Sequence, residues 1–215
     1  MSEAASRSER LAYRRFVSAD AEFLVALMNS PGWLEHIGDR HVKTVAAAEA
    51  YIAERFSVLS GASVCEGTYL ASRLSDGASV GLIGLHRREA LNLLDIGYAV
   101  LPAFYRKGYA YEAAAWLLRV ALEAGEAAVA AICNHDAYAS QELLRRLGFA
   151  YERDIDVARG EASEQYWTVA LRASSSRRAT TVWCDFSAAA DSCDTEPRRH
   201  DRPSLAWLSR PVNPL

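Results

Sequence analysis

The stretch Asp95-Ile96-Gly97-Tyr98-Ala99-Val100-Leu101-Pro102-Ala103-Phe104-Tyr105-Arg106-Lys107-Gly108-Tyr109-Ala110-Tyr111-Glu112 reads as a strand, a loop opened by proline, and a helix that begins at a glycine. Main-chain amides from about Tyr105 to Ala110 precede the first complete helical turn, so they have no helix carbonyl to bond. They converge on one point, with the positive end of the helix dipole behind them. Such a corner suits a phosphate or a pyrophosphate. Gly108 lets an anion approach the backbone, Ala110 keeps the helix start slim, and Arg106 and Lys107 add positive charge. A plain turn also uses a glycine between strand and helix, and the spacing by itself leaves both readings open. No Gly-x-x-x-x-Gly-Lys-(Ser/Thr) pattern is present, which disfavours a nucleotide-binding protein. Cys65, Cys133, Cys184 and Cys193 lie far apart without metal-ligand spacing. They read as reduced thiols, Cys65 and Cys133 as small buried hydrophobes near or in strands.

A corner of this kind needs a scaffold. The chain has 215 residues, 51% hydrophobic and 24% charged, enough for one domain with a sizeable core or for one domain plus an appendage. A net charge of -3 argues against a general nucleic-acid or anionic-membrane binder. No apolar run reaches the roughly 18–20 residues of a membrane span, and MSEAASRSER lacks the apolar stretch of a signal peptide. A cytoplasmic protein is expected. Residues 1–9 read as a flexible N-terminus and 10–172 as the domain. Residues 173–215 read as a largely disordered tail, because four of the six prolines lie there and no period of 2 or 3.6 is sustained. Trp183, Phe186 and Trp207 in that tail either dock somewhere or belong to an unselected extension.

Within the domain, Leu11 to Val17 is strand-like, and Ser18 can cap a helix from about Ala19 to Met28 that Asn29-Ser30-Pro31-Gly32 ends. Thr44 can cap a second helix to about Leu59, with Val45, Ala48, Ile52, Phe56 and Leu59 on its apolar face. Thr68 to Arg73, Val80 to His86 and Leu93 to Val100 form a meander, turned first at Asp76-Gly77. A helix from Tyr109 to about Glu123 ends near Gly125, and Ala127 to Cys133 is a buried strand. Ala139 to Leu147 is a helix, and Phe149 to Val157 and Gln165 to Leu171 are the last strands. The order is β-α-α-β-β-β-α-β-α-β-β. The fold class is α/β, with a mixed, mostly antiparallel central sheet flanked by helices.

One strand–helix unit after the glycine corner comes Ser140-Gln141-Glu142-Leu143-Leu144-Arg145-Arg146-Leu147-Gly148-Phe149. In this order the two segments resemble the GNAT superfamily of acetyl-coenzyme-A-dependent N-acetyltransferases. They look most like its ribosomal-protein-alanine acetyltransferase branch, the RimJ/RimL type. The family's phosphate loop, (Gln/Arg)-x-x-Gly-x-(Gly/Ala), stands here as Tyr105-Arg106-Lys107-Gly108-Tyr109-Ala110. Asp-Ile-Gly-Tyr-Ala, Gly-Tyr-Ala-x-Glu-Ala, Leu-Gly-Phe and the front segment Ile37-Gly38-Asp39-Arg40 also resemble that branch, and the similarity runs from about Arg10 to Leu171. Three positions depart from the pattern. Tyr105 stands for a usual Gln, Arg or Trp, Arg106 for a usual glycine, and Ala137 for an asparagine that commonly contacts the cofactor.

The resemblance implies an acyl-CoA N-acyltransferase fold in which the strand of Tyr98, Ala99 and Val100 splays from that of Ala131, Ile132 and Cys133. It implies acetyl-CoA as co-substrate, with Tyr98, Ala99, Val100, Tyr105, Arg106, Lys107, Gly108, Tyr109 and Ala110 holding it. The acceptor would be an amine, a protein N-terminus or a small molecule, acetylated by direct attack with both substrates bound. The Val100 amide would donate to the thioester oxygen. Many relatives protonate the thiolate with a tyrosine, at a place that here is Leu144. The RimL-like alternative is Ser140, which can instead cap helix amides; Tyr138 is a weaker substitute. Asp95 either points into the cleft as the base or is a solvated sheet residue. Glu161, Glu164 and His86 are further candidates, and Glu112 suits the helix dipole without a catalytic role. Trp33, His36 and His41 either wall the acceptor pocket or pack in the core. The competing function is a catalytically weak GNAT-fold module that binds CoA or works as a sensor. Monomer and homodimer are both compatible with an exposed sheet edge.

Overall fold

Strand alternation builds one sheet with two differently furnished faces. The computed structural model describes residues 6–56, 65–88, 91–156 and 164–172. Its strands are Leu11–Arg15 (β1), Gly67–Arg73 (β2), Ser79–Arg87 (β3), Leu94–Val100 (β4), Ala128–Cys133 (β5), Ala150–Ile155 (β6) and Glu164–Ala170 (β7). They lie in the order β1-β2-β3-β4-β5-β7-β6. Every neighbouring pair is antiparallel except β4 and β5. The helices are Ala21–Met28 (α1), Pro31–His36 (α2), Val45–Tyr51 (α3), Tyr109–Glu123 (α4) and Tyr138–Arg146 (α5). The mixed, mostly antiparallel sheet flanked by helices matches the expected class.

Ile83, Ile96, Val129 and Ala131 face α4 and α5, and form the larger core with Trp116, Leu117 and Leu144. Tyr13 of β1 stacks on Trp116 with ring centroids 3.8 Å apart, and Tyr69 of β2 meets the same indole edge-on at 5.3 Å. These aromatic contacts fix the roll of α4, and so where its N-terminus points. The other face buries Leu70 against Leu24, Leu27, Ala48 and Ile52 of the front helices, with Leu82, Ala99 and Leu101 alongside. At the far end of α4, Gly125 takes φ 90°, and Glu126 N–H bonds Ala121 C=O at 3.0 Å, closing the helix.

Some local expectations need correction. Ser18 caps nothing; it opens a 3₁₀ turn, Ser18–Asp20, ahead of α1. The Asp20 carboxylate instead takes the Val17 amide at 2.9 Å and the Arg14 guanidinium at 2.6 and 2.7 Å. A two-oxygen acceptor satisfies more donors there than one hydroxyl. Asn29-Ser30-Pro31-Gly32 ends one helix but starts another, α2, because Pro31 is preset for a first helical position. Thr44 does cap α3, accepting from Ala47 N–H at 3.2 Å. The following turn, Ile52–Phe56, widens to π geometry, and Val45 is exposed although it was placed on the apolar face. Cys65 and Cys133 are buried. Leu59, Val157, Glu161, Cys184, Cys193 and residues 173–215 lie outside the described residues.

Candidate active site

β4 and β5 pair only at Leu94↔Val129 and Asp95↔Ala130. Beyond that rung β4 continues to Val100 along β3, while β5 continues to Cys133 along β7. The sheet therefore forks. Leu101 N–H donates to Val80 C=O at 2.9 Å. Strand alternation then turns the main-chain groups of Val100, Tyr98 and Ile96 away from β3, toward the fork. An extended ligand can bond such an edge as an added strand.

The loop after β4 leads from this edge to α4. Pro102–Phe104 is a 3₁₀ turn, and the first helix bond is Glu112 N–H to Gly108 C=O at 3.1 Å. The amides of Gly108, Tyr109, Ala110 and Tyr111 therefore have no partner within the helix. Gly108 holds φ 77°, and a Cβ there would stand 3.4 Å from Arg10 Nη2. A side chain would thus add strain and partly fill the cradle. The Tyr105 amide is used inside the turn, donating to Pro102 C=O at 3.1 Å, so the run of free amides does not include it. The Tyr105 hydroxyl lies against Gly32 of α2, where any Cβ would collide with it. Arg106 adopts a φ of 59°, in the region that favours glycine, and is exposed. Lys107 Nζ donates to Ala103 C=O at 2.9 Å and lies over the Phe104 ring. Glu112 does more than suit the dipole. It accepts from Ser8 Oγ, the Arg10 amide and Arg10 Nε at 2.6, 2.6 and 2.7 Å, tying the N-terminal segment to the helix start.

On the α5 side of the fork, Ser140 faces Tyr98. Its Oγ is 2.7 Å from the Tyr98 hydroxyl, and it caps no helix amide; Ala137 occupies the N-cap position. Burial pushes the Tyr98 phenol up to about 12, against the lowering effect of the Ser140 hydrogen bond, and nearby Cys133 adds to the rise. Burial likewise pushes the Cys133 thiol up to about 11, so it stays protonated near neutral pH. Leu144 is wholly within the core. Tyr138 is 74% exposed, which takes it out of reach as a substitute donor inside the fork.

The opposite face at the fork belongs to Asp95, only 3% exposed. It sits directly across from His86 in the β3–β4 register. Its Oδ2 accepts from Arg88 Nε at 2.6 Å, while Oδ1 has no hydrogen-bond partner among the described residues. The Ile132 amide, next outward-facing on β5 after the last rung, lies near enough to favour the carboxylate but outside hydrogen-bond geometry. Burial nevertheless dominates and pushes Asp95 up to about 6; Arg88 opposes the rise and Glu164 adds to it. Asp95 is therefore no solvated sheet residue. Two positions along the same face, no described residue lies within 4 Å of where a Gly97 Cβ would be. His86 Nε2 meets Thr68 Oγ1 at 3.3 Å, and burial lowers its pKa.

Trp33 packs in the core with Nε1 on Gly38 C=O at 3.1 Å, and His41 is exposed beside Asp39. Asn134 turns its amide to His36 C=O at 3.4 Å. Sequence reasoning missed Arg88, Arg10 and the Tyr98 side chain. The first two become visible only through long-range register, whereas Tyr98 was marked for its main chain alone.

The profile of the acetyltransferase (GNAT) domain family matches residues 10–150. The chain belongs to that family. As a GNAT acetyltransferase it is an acyltransferase enzyme. Among solved structures, this GNAT protein is similar to a GNAT-family acetyltransferase from Bacillus anthracis, with 19% identity and a TM-score of 0.64 over 76% of this chain and 96% of that one. It is also similar to RimL, a ribosomal-protein alpha-N-acetyltransferase captured with coenzyme A through a disulfide, with 16% identity and a TM-score of 0.65 over 76% and 96% of the two chains. A third is the Salmonella typhimurium acetyltransferase that modifies the N-terminal serine of a 50S ribosomal subunit protein, at 16% identity and a TM-score of 0.64 over 77% and 97%. These likenesses concern the fold. No curated protein matches the chain. No helix among the described residues is long and apolar enough to cross a membrane.

Proposed function

We propose that this GNAT protein transfers an acetyl group from acetyl-CoA to a primary amine, the N-terminus of a polypeptide, by direct attack with both substrates bound. The observation that carries the proposal is the fork. Outward-facing main-chain groups of Tyr98 and Val100 lead straight to the free amides at the start of α4. An acyl carrier with an extended amide arm and a diphosphate needs both at that separation and in that order. In this reading the edge from Tyr98 through Ala99 to Val100 holds the arm. The loop from Tyr105 through Arg106, Lys107, Gly108 and Tyr109 to Ala110 shapes the diphosphate cradle.

Acyl transfer places negative charge on the thioester oxygen as the amine attacks, and the Val100 N–H is the donor turned toward that point. A preset donor of this type contributes roughly 2.7–4 kcal/mol in the transition state. Holding the amine against the thioester supplies much of the remaining acceleration. Asp95, five residues along β4 from Val100 and so roughly 17 Å away, takes the proton the amine must lose through intervening water; its raised pKa lies close to the working range, where a base is most effective. Ser140 supplies a proton to the departing sulfur. A polypeptide acceptor is favoured because the solved relatives include enzymes named for ribosomal-protein N-termini.

The second reading, a CoA-binding module with little activity, draws on Ala137 at the family's asparagine position and on the core placement of Leu144. Thiol release from acetyl-CoA decides between the two, measured with peptides of varied first residue and with small polyamines. Turnover on peptides is expected. Turnover confined to small amines would move the acceptor class. Tight CoA binding with no thiol release on any amine would leave the module reading standing.

A further inference from the structure

The geometry points to the Tyr98 hydroxyl as the positioning residue that aims the Ser140 proton at the departing sulfur. The inference rests on the acetyl-transfer reading above and extends it to a side chain otherwise marked only for its main chain. Three observations carry it. Tyr98 and Ser140 meet hydroxyl to hydroxyl at 2.7 Å, beside the fork. Ser140 has no capping duty, because α5 starts at an Ala137 N-cap with no side-chain bond. Cys133, at the end of β5, shares a core cluster with Tyr98, so the side chains of Tyr98, Ser140 and Cys133 lie on the open side of the fork, beyond its closed end at Asp95 and Ala130.

A hydroxyl pair shares one proton in its mutual bond, and which oxygen gives it decides what the other can do. A phenol is the stronger acid and therefore the better donor. Tyr98 O–H then donates to Ser140 Oγ, which leaves the serine's own proton free for a third partner. Without Tyr98, that proton can turn back to the carbonyl one helical turn earlier, as serine hydroxyls in helices commonly do. In the transfer step the N–C bond forms, the C–S bond breaks, and its electron pair leaves on sulfur. Sulfur takes the Ser140 proton, Ser140 Oγ takes that of the more acidic Tyr98 phenol, and water restores Tyr98. The proton lost by nitrogen passes to Asp95 and on to water, so proton release and uptake cancel.

The test is a double-mutant cycle on the full chain, using acetyl-CoA and the best peptide acceptor. Ser140→Ala is expected to lower kcat by roughly 10²-fold, the low end for a lost proton donor. Tyr98→Phe should lower kcat about tenfold with the KM for acetyl-CoA, the CoA affinity and the melting temperature held within twofold, twofold and two degrees. The double variant should be no slower than Ser140→Ala alone, since Tyr98 acts only through Ser140. Tyr98→His, which keeps a donor, should recover part of the loss, and it carries the comparison if the Phe variant does not fold. Wild-type kcat in Tyr98→Phe, or a further tenfold loss in the double variant, overturns the inference while leaving acetyl transfer intact. Absence of thiol release by the wild type on every acceptor overturns acetyl transfer first and this inference with it.

Discussion

At the Val100 end of β4 the polar groups on offer are main chain; at the Asp95 end they are side chains. The first region presents the Gly108–Tyr111 amides, while Lys107 bonds Ala103, Arg10 bonds Glu112 and the Lys107 carbonyl, and Arg106 is exposed. The second buries a carboxylate with one oxygen bound by Arg88 and the other unpartnered among the described residues. A main-chain site tolerates changes of side chain so long as the backbone keeps its path. A buried side-chain site depends on every neighbour, and its chemistry is set by the balance of desolvation against one ion pair. Variants at the two ends should therefore fail differently: rate and pH dependence at one, cofactor affinity at the other.

The largest expected effect is at Asp95. Asp95→Asn should lower kcat/KM for the peptide acceptor by about 10²–10⁴-fold, as loss of a general base does, with coenzyme A affinity unchanged by calorimetry. In the wild type, kcat/KM should rise through about pH 6, where the carboxyl loses its proton. That limb should vanish in the variant, leaving only the limb of the acceptor amine. Stability gives an independent check. The folded pKa is raised above the unfolded value, so the folded state holds this proton more tightly. Its contribution, about 3 kcal/mol for a shift from roughly 3.9 to 6, is complete below the unfolded pKa and is lost as pH rises through about 6. The stability difference between wild type and Asp95→Asn should shift in that window, the wild type losing ground as pH increases. Equal pH profiles for the two proteins would mean that Asp95 titrates outside this range and is not the base.

An intermediate effect is expected at Gly108. Its φ of 77° costs an L-residue roughly 1–2 kcal/mol, so an alanine there favours a relaxed loop in which the amides no longer converge. Gly108→Ala should weaken coenzyme A about tenfold, since 1.4 kcal/mol is a factor of ten, while the KM for the peptide holds. An acceptor KM that moved with the cofactor affinity would mean that the two ends are not separable.

The same contrast explains what the sequence discloses. Pro102, Gly108 and Gly125 mark backbone events and are readable one at a time, so the strand–loop–helix path around Gly108 was legible, while spacing left the turn and anion readings of that corner open. The surroundings of Asp95 were not, because Arg88 and His86 reach it through cross-strand register that no local pattern encodes. Between helices, Asn29-Ser30-Pro31-Gly32 carries both a stop and a start signal, and only the stop was read. Ser18 and Asp20 are both plausible caps; Arg14, arriving from β1, selects Asp20. Ser140 carried two local readings, and its long-range neighbour Tyr98 separates them.

The smallest effect tests the main-chain character of the cradle most directly. Arg106 holds φ 59°, a conformation that favours glycine, with an exposed side chain. Glycine there removes roughly 1–2 kcal/mol of left-handed strain but adds about 0.5–1 kcal/mol of unfolded-state entropy. Arg106→Gly should therefore stabilise the protein by at most about 1.5 kcal/mol, a rise of up to about 3–6 °C in Tm for a domain of this size. If the amides alone bind the diphosphate, coenzyme A affinity should change less than twofold and its salt dependence should not change. If affinity instead falls tenfold and the salt dependence flattens, the guanidinium contributes its charge to the anion. The cradle would then be a side-chain site like the one at Asp95, and the distinction between the two ends of β4 would fail.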